Sequence, residues 1–346
     1  MTSTMKAAQF DKPNRKVVIN DVPIPEPGEG QFLVKVTAAS LCHSDLMTDL
    51  RPDDFGRPMT MGHEGVGIIE KMHPSCADKG FKVGDKIGML YIIDCCFECE
   101  ACDAHGTQCT NPNPGGAKVM GLMTDGFFAE YAVSDWENAI ILPDNLPMEK
   151  MSPVFCAGIT AFHSVDKCEL SPGDWFGVVG CGGLGQMAVR YAKAMGLKVV
   201  GLDVNDDMLE IVKKNGADAV FNTRTNSDYA AEVKKLTGSG CHAVAVYSNA
   251  TPAYHSARKV LKIKGLLMVI GLPDKPLEFQ PFDVVANVFR IKGSNTGTPK
   301  EMKKALDFTA KHQIIPEVDF RKLEEMPQMV DEMEQGKATR RMVVCF

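Results

Sequence analysis

The chain has 346 residues, 45% of them hydrophobic and 24% charged, with a formal net charge of -6. That length exceeds one ordinary core and points to two domains. The composition is that of a soluble globular protein, and the acidic balance, with no Lys/Arg run, excludes an electrostatic nucleic-acid surface.

The first ten residues contain neither an apolar h-region nor an Arg-rich amphipathic stretch, and no apolar run approaches membrane-spanning length. A cytoplasmic protein with no membrane partner is therefore expected. Five of the twelve cysteines crowd between Cys95 and Cys109. In a reducing compartment such crowding reads as metal binding rather than disulfides. Cys76, Cys168, Cys241 and Cys345 read as ordinary small buried or surface residues.

From residue 6 to 40 the pattern predicts short strands. Val17 to Asp21 is one, and Gln31 to Ala38, alternating Phe32, Val34 and Val36 against Lys35 and Thr37, is another. Pro23, Pro25, Pro27 and Gly28 interrupt the chain between them. Gly65 to Met72 is a further strand, and Val83 to Ile87 is a turn entering the next. With no helical period, this region is expected to be a β-barrel or sandwich.

Two clusters in this half carry chemistry. The stretch Cys42-His43-Ser44-Asp45 packs a thiol, an imidazole, a hydroxyl and a carboxylate together, and Gly62-His63-Glu64-Gly65 follows. Cys42 and His63 supply two ligands for a catalytic zinc, which takes three protein ligands and keeps one position open; spacing alone leaves the third unassigned. Cys96, Cys99 and Cys102 form two overlapping C-x2-C steps, and Cys109 returns as a fourth thiolate. Four thiolates make a closed, structural zinc site. An iron–sulfur cluster needs the same ligands, but nothing else points to electron transfer. Cys95 is the bystander.

From about Ser171 strands and helices alternate. Trp175 to Val179 is an apolar strand entering Gly180-Cys181-Gly182-Gly183-Leu184-Gly185. A helix is expected from Gln186 to Met195, then a strand from Lys198 to Leu202 ending at Asp203. Strand, glycine turn, helix, strand and acid follow in the order of a dinucleotide fold, the glycines admitting a pyrophosphate to the helix N-terminus. Asp203, 23 residues after Gly180, is placed to bind the adenosine ribose hydroxyls. Its charge, with Asp206 and Asp207 beside it and no Arg within several residues, favours NAD over NADP. Further strands are expected at residues 219–221, 243–247 and 266–270, with helices at 228–236 and 253–261, giving a parallel sheet covered on both faces. Two amphipathic helices and a strand, Met342 to Cys345, complete the chain.

These motifs resemble the zinc-dependent medium-chain alcohol dehydrogenases, similar to their microbial tetrameric members. The resemblance rests on Cys42-His43-Ser44-Asp45, Gly62-His63-Glu64-x-x-Gly67, the four-cysteine lobe, Phe155-Cys156-Ala157-Gly158-x-Thr160 and the glycine turn with Asp203. It covers nearly the whole chain. It implies an α/β protein with a β-barrel: a GroES-like catalytic domain (residues 1–156 with 295–346) and a Rossmann NAD-binding domain (157–294). It implies two Zn2+ per chain, a catalytic one on Cys42, His63 and Cys156 with Glu64 nearby, and a structural one on Cys96, Cys99, Cys102 and Cys109. Asp45 would orient His63 through its other ring nitrogen. Cofactor contacts are implied for His43, Thr160, Gly180, Gly182, Gly183, Leu184, Gly185, Asp203, Ile270, Leu272 and Arg340.

The implied activity interconverts an alcohol and its aldehyde or ketone by hydride transfer to or from NAD(H), zinc lowering the hydroxyl pKa and Ser44 accepting the proton. A homotetramer is implied, with a homodimer as the alternative. Two positions depart from the family. The loop between Cys102 and Cys109 has six residues, one fewer than usual. Met47 stands where many members carry a relay histidine, and a thioether carries no proton, so the relay would end at the cofactor ribose and water. Tyr91 with Met47 points to an apolar substrate pocket. Cys156 argues against a polyol dehydrogenase, which often has a carboxylate there. The complete ligand set argues against a non-zinc quinone or enoyl reductase and against a catalytically idle redox sensor.

Overall fold

Strand formation at the N-terminus follows the apolar pattern, and Thr4–Asp11 pairs antiparallel with Lys16–Pro23 along its whole length. The computed structural model describes residues 3–52, 55–110 and 116–346. It divides the chain into two compact units, Met1–Ile159 with Gly297–Phe346, and Thr160–Thr296.

In the first unit the central strand is Gln31–Ser40. Phe32, Val34 and Val36 are buried as their alternation predicts, but Leu33, Ala38, Ala39 and Ser40 are buried as well. The strand has neighbours on both sides: Gly65–Met72 on one, and both Tyr131–Asp135 and Arg341–Cys345 on the other. Tyr131–Asp135 takes its first half and Arg341–Cys345 its last residues, so one edge is shared by two strands. Register shifts at Leu33/Val34 and Val36/Ala38 mark the bends that allow this.

Among the described residues of this unit the ladders form a seven-stranded, a three-stranded and a two-stranded sheet, and a bridge from Ala7 to Ala129 lies between the larger two. The core between the sheets is built from Phe32, Val34, Leu41, Met61, Ile87 and Phe128. The unit also holds a short α-helix, Glu100–Ala104, inside the cysteine lobe, and the longer helices Pro299–His312 and Met326–Glu334 from its C-terminal part.

The second unit is a six-stranded, all-parallel sheet. Its spatial order is Ala219–Asn222, Lys198–Asp203, Trp175–Val179, Cys241–Val246, Leu261–Val269 and Phe289–Gly293. Counting in chain order this is 3-2-1-4-5-6, the doubly wound arrangement whose ligand crevice opens where strand order reverses, beyond the carboxyl ends of the first and fourth strands. Val178, Val200, Ala245 and Leu267 are completely buried, as strands covered on both faces require. The first helix starts at Gly183, earlier than the apolar pattern predicts. Glycine fits that first turn because a Cβ on Gly185 would lie 2.1 Å from the Gly180 carbonyl oxygen. Phe289–Gly293 carries no strand signal, since only Phe289 is buried and the other four residues are exposed on the sheet edge. Among the described residues no helix is long and apolar enough to cross a membrane.

Candidate active site

Leu41 leaves the central strand buried, and a single 3-10 turn, His43–Leu46, follows. Asp45 closes this turn on itself: its Oδ2 accepts from the Cys42 N–H at 2.9 Å, and its Oδ1 lies 2.9 Å from His63 Nδ1. A carboxylate only accepts, so Nδ1 carries a proton, and in the neutral ring that a metal would bind Nε2 presents the lone pair. His63 reaches this place because Gly62 adopts φ +97° and leaves room for Phe128, whose ring would sit 2.6 Å from any Cβ there. Cys156 ends the buried segment Ser152–Phe155 and precedes the helix Ala157–Asp166.

The result is a four-residue donor set. One donor atom each from Cys42, His63, Glu64 and Cys156 lies within 4.8 Å of all the others. Asp45 and Glu64 are wholly buried and His63 nearly so. His63 Nε2 and Glu64 Oε1 have no protein partner. Orphaned buried polar atoms are costly and rare, and here two of them converge with two thiols. That donor set suits a tetrahedral Zn2+ with one exchangeable position.

Without a metal the electrostatics show the same convergence. A hydrogen bond from Cys156, with Arg341 and His63 nearby, outweighs burial and holds the Cys42 thiol well below its ordinary range. That hydrogen bond and burial push Cys156 well above it. Burial opposes charge on His63, but the Asp45 and Cys42 charges prevail and raise its pKa. Burial pushes Glu64 up to about 7 against the pull of Arg341. Two thiols, one proton between them and a cationic partner are what a divalent metal would replace.

Sequence reasoning missed two members of this cluster. Arg341 and Ser40 both bond Glu64 Oε2, leaving Oε1 free toward the thiols. Arg340, the expected cofactor contact, is exposed and lies 3.4 Å from Glu317. The doublet Arg340-Arg341 was the visible signal. Strand alternation turns Arg341 inward, beside Ser40 on the neighbouring strand.

Among the other expected residues, Ser44 Oγ lies 4.0 Å from Cys42 Sγ. The Tyr91 ring stands edge-on to His63 at 5.4 Å. Met47 and His43 are exposed.

The four-cysteine lobe is also assembled. Donor atoms of Cys96, Cys99, Cys102 and Cys109 lie within 4.8 Å of one another despite the short loop. Cys99 starts the Glu100–Ala104 helix, and backbone amides of Thr110 and Cys102 bring its thiol down to about 6. Cys95 is outside the set: its thiol donates to the Gly106 carbonyl at 3.4 Å, and burial pushes it up to about 12.

In the second unit Gly180 takes φ +90°, and a Cβ there would meet the Ser248 backbone N at 2.9 Å. Gly182, by contrast, faces open space at the N-terminus of the Gly183–Ala194 helix, a cradle suited to a pyrophosphate. Asp203 is held by three amides, from Cys181 at 2.6 Å, Val204 at 2.7 Å and Asn205 at 3.0 Å. Gly180, Asp203, Val204, Thr223 and Ser248 line one pocket. Thr160 is buried; Ile270 is half-buried; Leu272 is exposed, its N–H bonded to Asn249 at 2.9 Å.

A doubly wound parallel sheet with this glycine turn, and a separate β unit holding a Cys/His/Glu/Cys donor set, define a metal-dependent, dinucleotide-linked oxidoreductase. Residues 28–144 match the family model of the alcohol dehydrogenase GroES-like domain, and residues 183–311 that of the zinc-binding dehydrogenases. The chain is 35% identical over 346 residues to an alcohol dehydrogenase of Geobacillus stearothermophilus, covering 98% of this chain and 99% of that one. Among solved structures it is similar to the alcohol dehydrogenase of the archaeon Aeropyrum pernix, with 30% identity, a TM-score of 0.84 and 99% and 100% of the two chains covered. It is also similar to an acetophenone reductase from Geotrichum candidum in complex with NAD, with 25% identity, a TM-score of 0.83 and 100% and 98% covered. The chain belongs to the zinc-dependent medium-chain alcohol dehydrogenase family.

Proposed function

We propose that the chain interconverts a primary or secondary alcohol and its aldehyde or ketone with NAD(H), using two zinc ions. The carrying observation is the orphaned Nε2 of His63, set among two thiols and a carboxylate. In this reading Cys42, His63 and Cys156 hold the catalytic zinc, Glu64 is its exchangeable neighbour, and Cys96, Cys99, Cys102 and Cys109 hold the structural one. In the same reading residues 1–156 with 295–346 are the catalytic domain and residues 157–294 bind NAD.

Bound Zn2+ supplies Lewis acidity that lowers the pKa of a hydroxyl, and NAD supplies the hydride acceptor. The chain's own residues do the rest. Asp45 holds His63 in the tautomer that offers Nε2. Arg341 and Ser40 hold one oxygen of Glu64 so that the other faces the thiols. Ser44 takes the alcohol proton at Oγ, and because Met47 cannot accept it, the relay from Ser44 would end at the cofactor ribose and water. Tyr91 and Met47 give the substrate side apolar surface. Gly180, Gly182, Gly183, Leu184 and Gly185 admit the pyrophosphate, with His43 and Arg340 as further phosphate contacts. Asp203 binds the adenosine ribose, and Thr160, Ile270 and Leu272 line the nicotinamide side.

The chain is proposed to self-associate, as a homotetramer or, failing that, a homodimer. Exposed Phe282, Val284, Val285 and Ile291, beside or on the unpaired edge strand Phe289–Gly293, support this. Its thiol-rich metal sites fit the reducing cytoplasm. The test is a panel of alcohols and ketones with zinc-loaded protein, following NADH absorbance. Turnover of at least one alcohol that is lost with Cys42→Ser supports the reading, and no turnover across the panel with both zincs bound sinks it.

A further inference from the structure

Arg51 follows the metal-binding turn and is only 2% exposed. Among the described residues its guanidinium finds no carboxylate oxygen to bond. Nη2 donates to the Asp45 backbone carbonyl at 2.8 Å and Nε to the Gly121 carbonyl at 3.2 Å. The guanidinium stacks on the Phe10 ring at 4.5 Å, and Nη1 is buried with no partner. The two carbonyls belong to different segments. Asp45 closes the turn that carries Cys42. Gly121, at φ +75°, is pressed against the backbone of Gly62, where a Cβ would come within 2.6 Å of the Gly62 N, and Gly62 precedes His63.

We propose that Arg51 is a positioning residue for the metal site, its rigid fork fixing the distance between the segment that carries Cys42 and the segment that backs His63. The inference rests on the reading of Cys42, His63 and Cys156 as zinc ligands. Stability alone does not call for this arginine. A desolvated guanidinium bonded to neutral carbonyls, with one nitrogen unsatisfied, is a costly way to fill a site beside Phe10, and a well-packed apolar side chain there is commonly neutral or stabilising. Lysine would keep the charge but, lacking the planar fork, would not hold two carbonyls at once.

The experiment uses full-length wild type, Cys42→Ser, Arg51→Met and Arg51→Lys, with the catalytic metal exchanged for Co2+. The thiolate-to-cobalt absorption that vanishes in Cys42→Ser reports the catalytic site. If wild type lacks that absorption, the ligand reading itself fails, whatever Arg51 does. Given the band, Arg51→Met is expected to shift it and to release that cobalt to a chelator about 10-fold faster. The four-cysteine lobe should keep its zinc, and the melting temperature should not fall. Arg51→Lys should behave like Arg51→Met, and it decides the matter if the methionine variant does not fold. An unmoved band and wild-type release rate overturn the proposal, and so does parallel loss of both metals, the mark of general destabilisation.

Discussion

The Nδ1 of His63 and the Oδ1 of Asp45 stand 2.9 Å apart, both wholly shielded from solvent, while the opposite ring nitrogen has no protein partner. This pair sets what the site can hold. Replacing Asp45 by Asn keeps the shape but removes the charge that makes His63 a strong ligand. Metal affinity and kcat/KM should each fall by roughly 10- to 100-fold. Metal content after dialysis against a graded chelator, with lobe zinc as internal control, checks this.

The two cysteine-bearing clusters are separate, so their metals should be separable. Cys99→Ala should lose one zinc and much thermal stability, because a closed four-thiolate site contributes to folding. Cys42→Ala should lose the other zinc and the activity while keeping most of the stability. Metal analysis beside calorimetry distinguishes the two, and a wild type with a single zinc held by the lobe alone would leave the catalytic reading without its centre.

Asp203 is the residue proposed to select the cofactor. Its carboxylate is held by three amides and its strand end lies beside Asn222, two residues before the exposed Arg224. Asp203→Gly should weaken NAD binding about 10-fold, the cost of a lost charged hydrogen-bond acceptor. With the repelling charge gone and Arg224 nearby, the NADP/NAD ratio of kcat/KM should rise. An unchanged ratio would refute the assignment.

Met47 ends the turn with its N–H bonded to the Ser44 carbonyl at 3.0 Å and its side chain exposed. An imidazole there would extend the route from Ser44. Met47→His should therefore shift the acid limb of the kcat pH profile, and a superimposable profile would make Met47 a pocket residue only.

Asp218 tests the second unit. Its Oδ2 accepts from the Val199 N–H at 2.7 Å and from Lys193 Nζ at 2.8 Å. Burial raises its pKa, but these partners outweigh it and leave the group below its ordinary 3.8. A depressed folded pKa contributes stability that is fully present above the unfolded value and lost as pH falls through the folded one. Asp218→Asn should cost under about 1 kcal/mol at neutral pH, since the group is partly exposed. Urea midpoints should show that difference constant down to about pH 5 and vanishing in stronger acid; a difference that grew with acid would have the wrong sign.

Much of this was legible along the chain. The period of two in residues 31–38, the apolar runs ending at Val179 and Asp203 and the glycine spacing after Gly180 are local signals, read by sterics that act over a few residues. The C-x2-C steps of the lobe are equally local, because their loop is short enough for its own sulfurs to meet. Gly183 and Gly185 misled the helix start because glycine carries a weak helical signal, although here it is what close packing demands.

The catalytic set is of another kind. Cys42, His63 and Cys156 lie far apart in the chain, and residue type alone marks Cys156 as a core thiol. Its place, and that of Arg341 on Glu64, follows from which residues face each other across strand neighbours. Arg224 falls two residues after Asn222, which pairs with Asp203 through a parallel ladder that sequence distance hides. Local chemistry thus pointed to the types of the proposed ligands, the turns and the acid proposed to read the ribose. Only the folded sheets decided which of them meet, because a pairing register shifted by one residue turns every side chain to the opposite face.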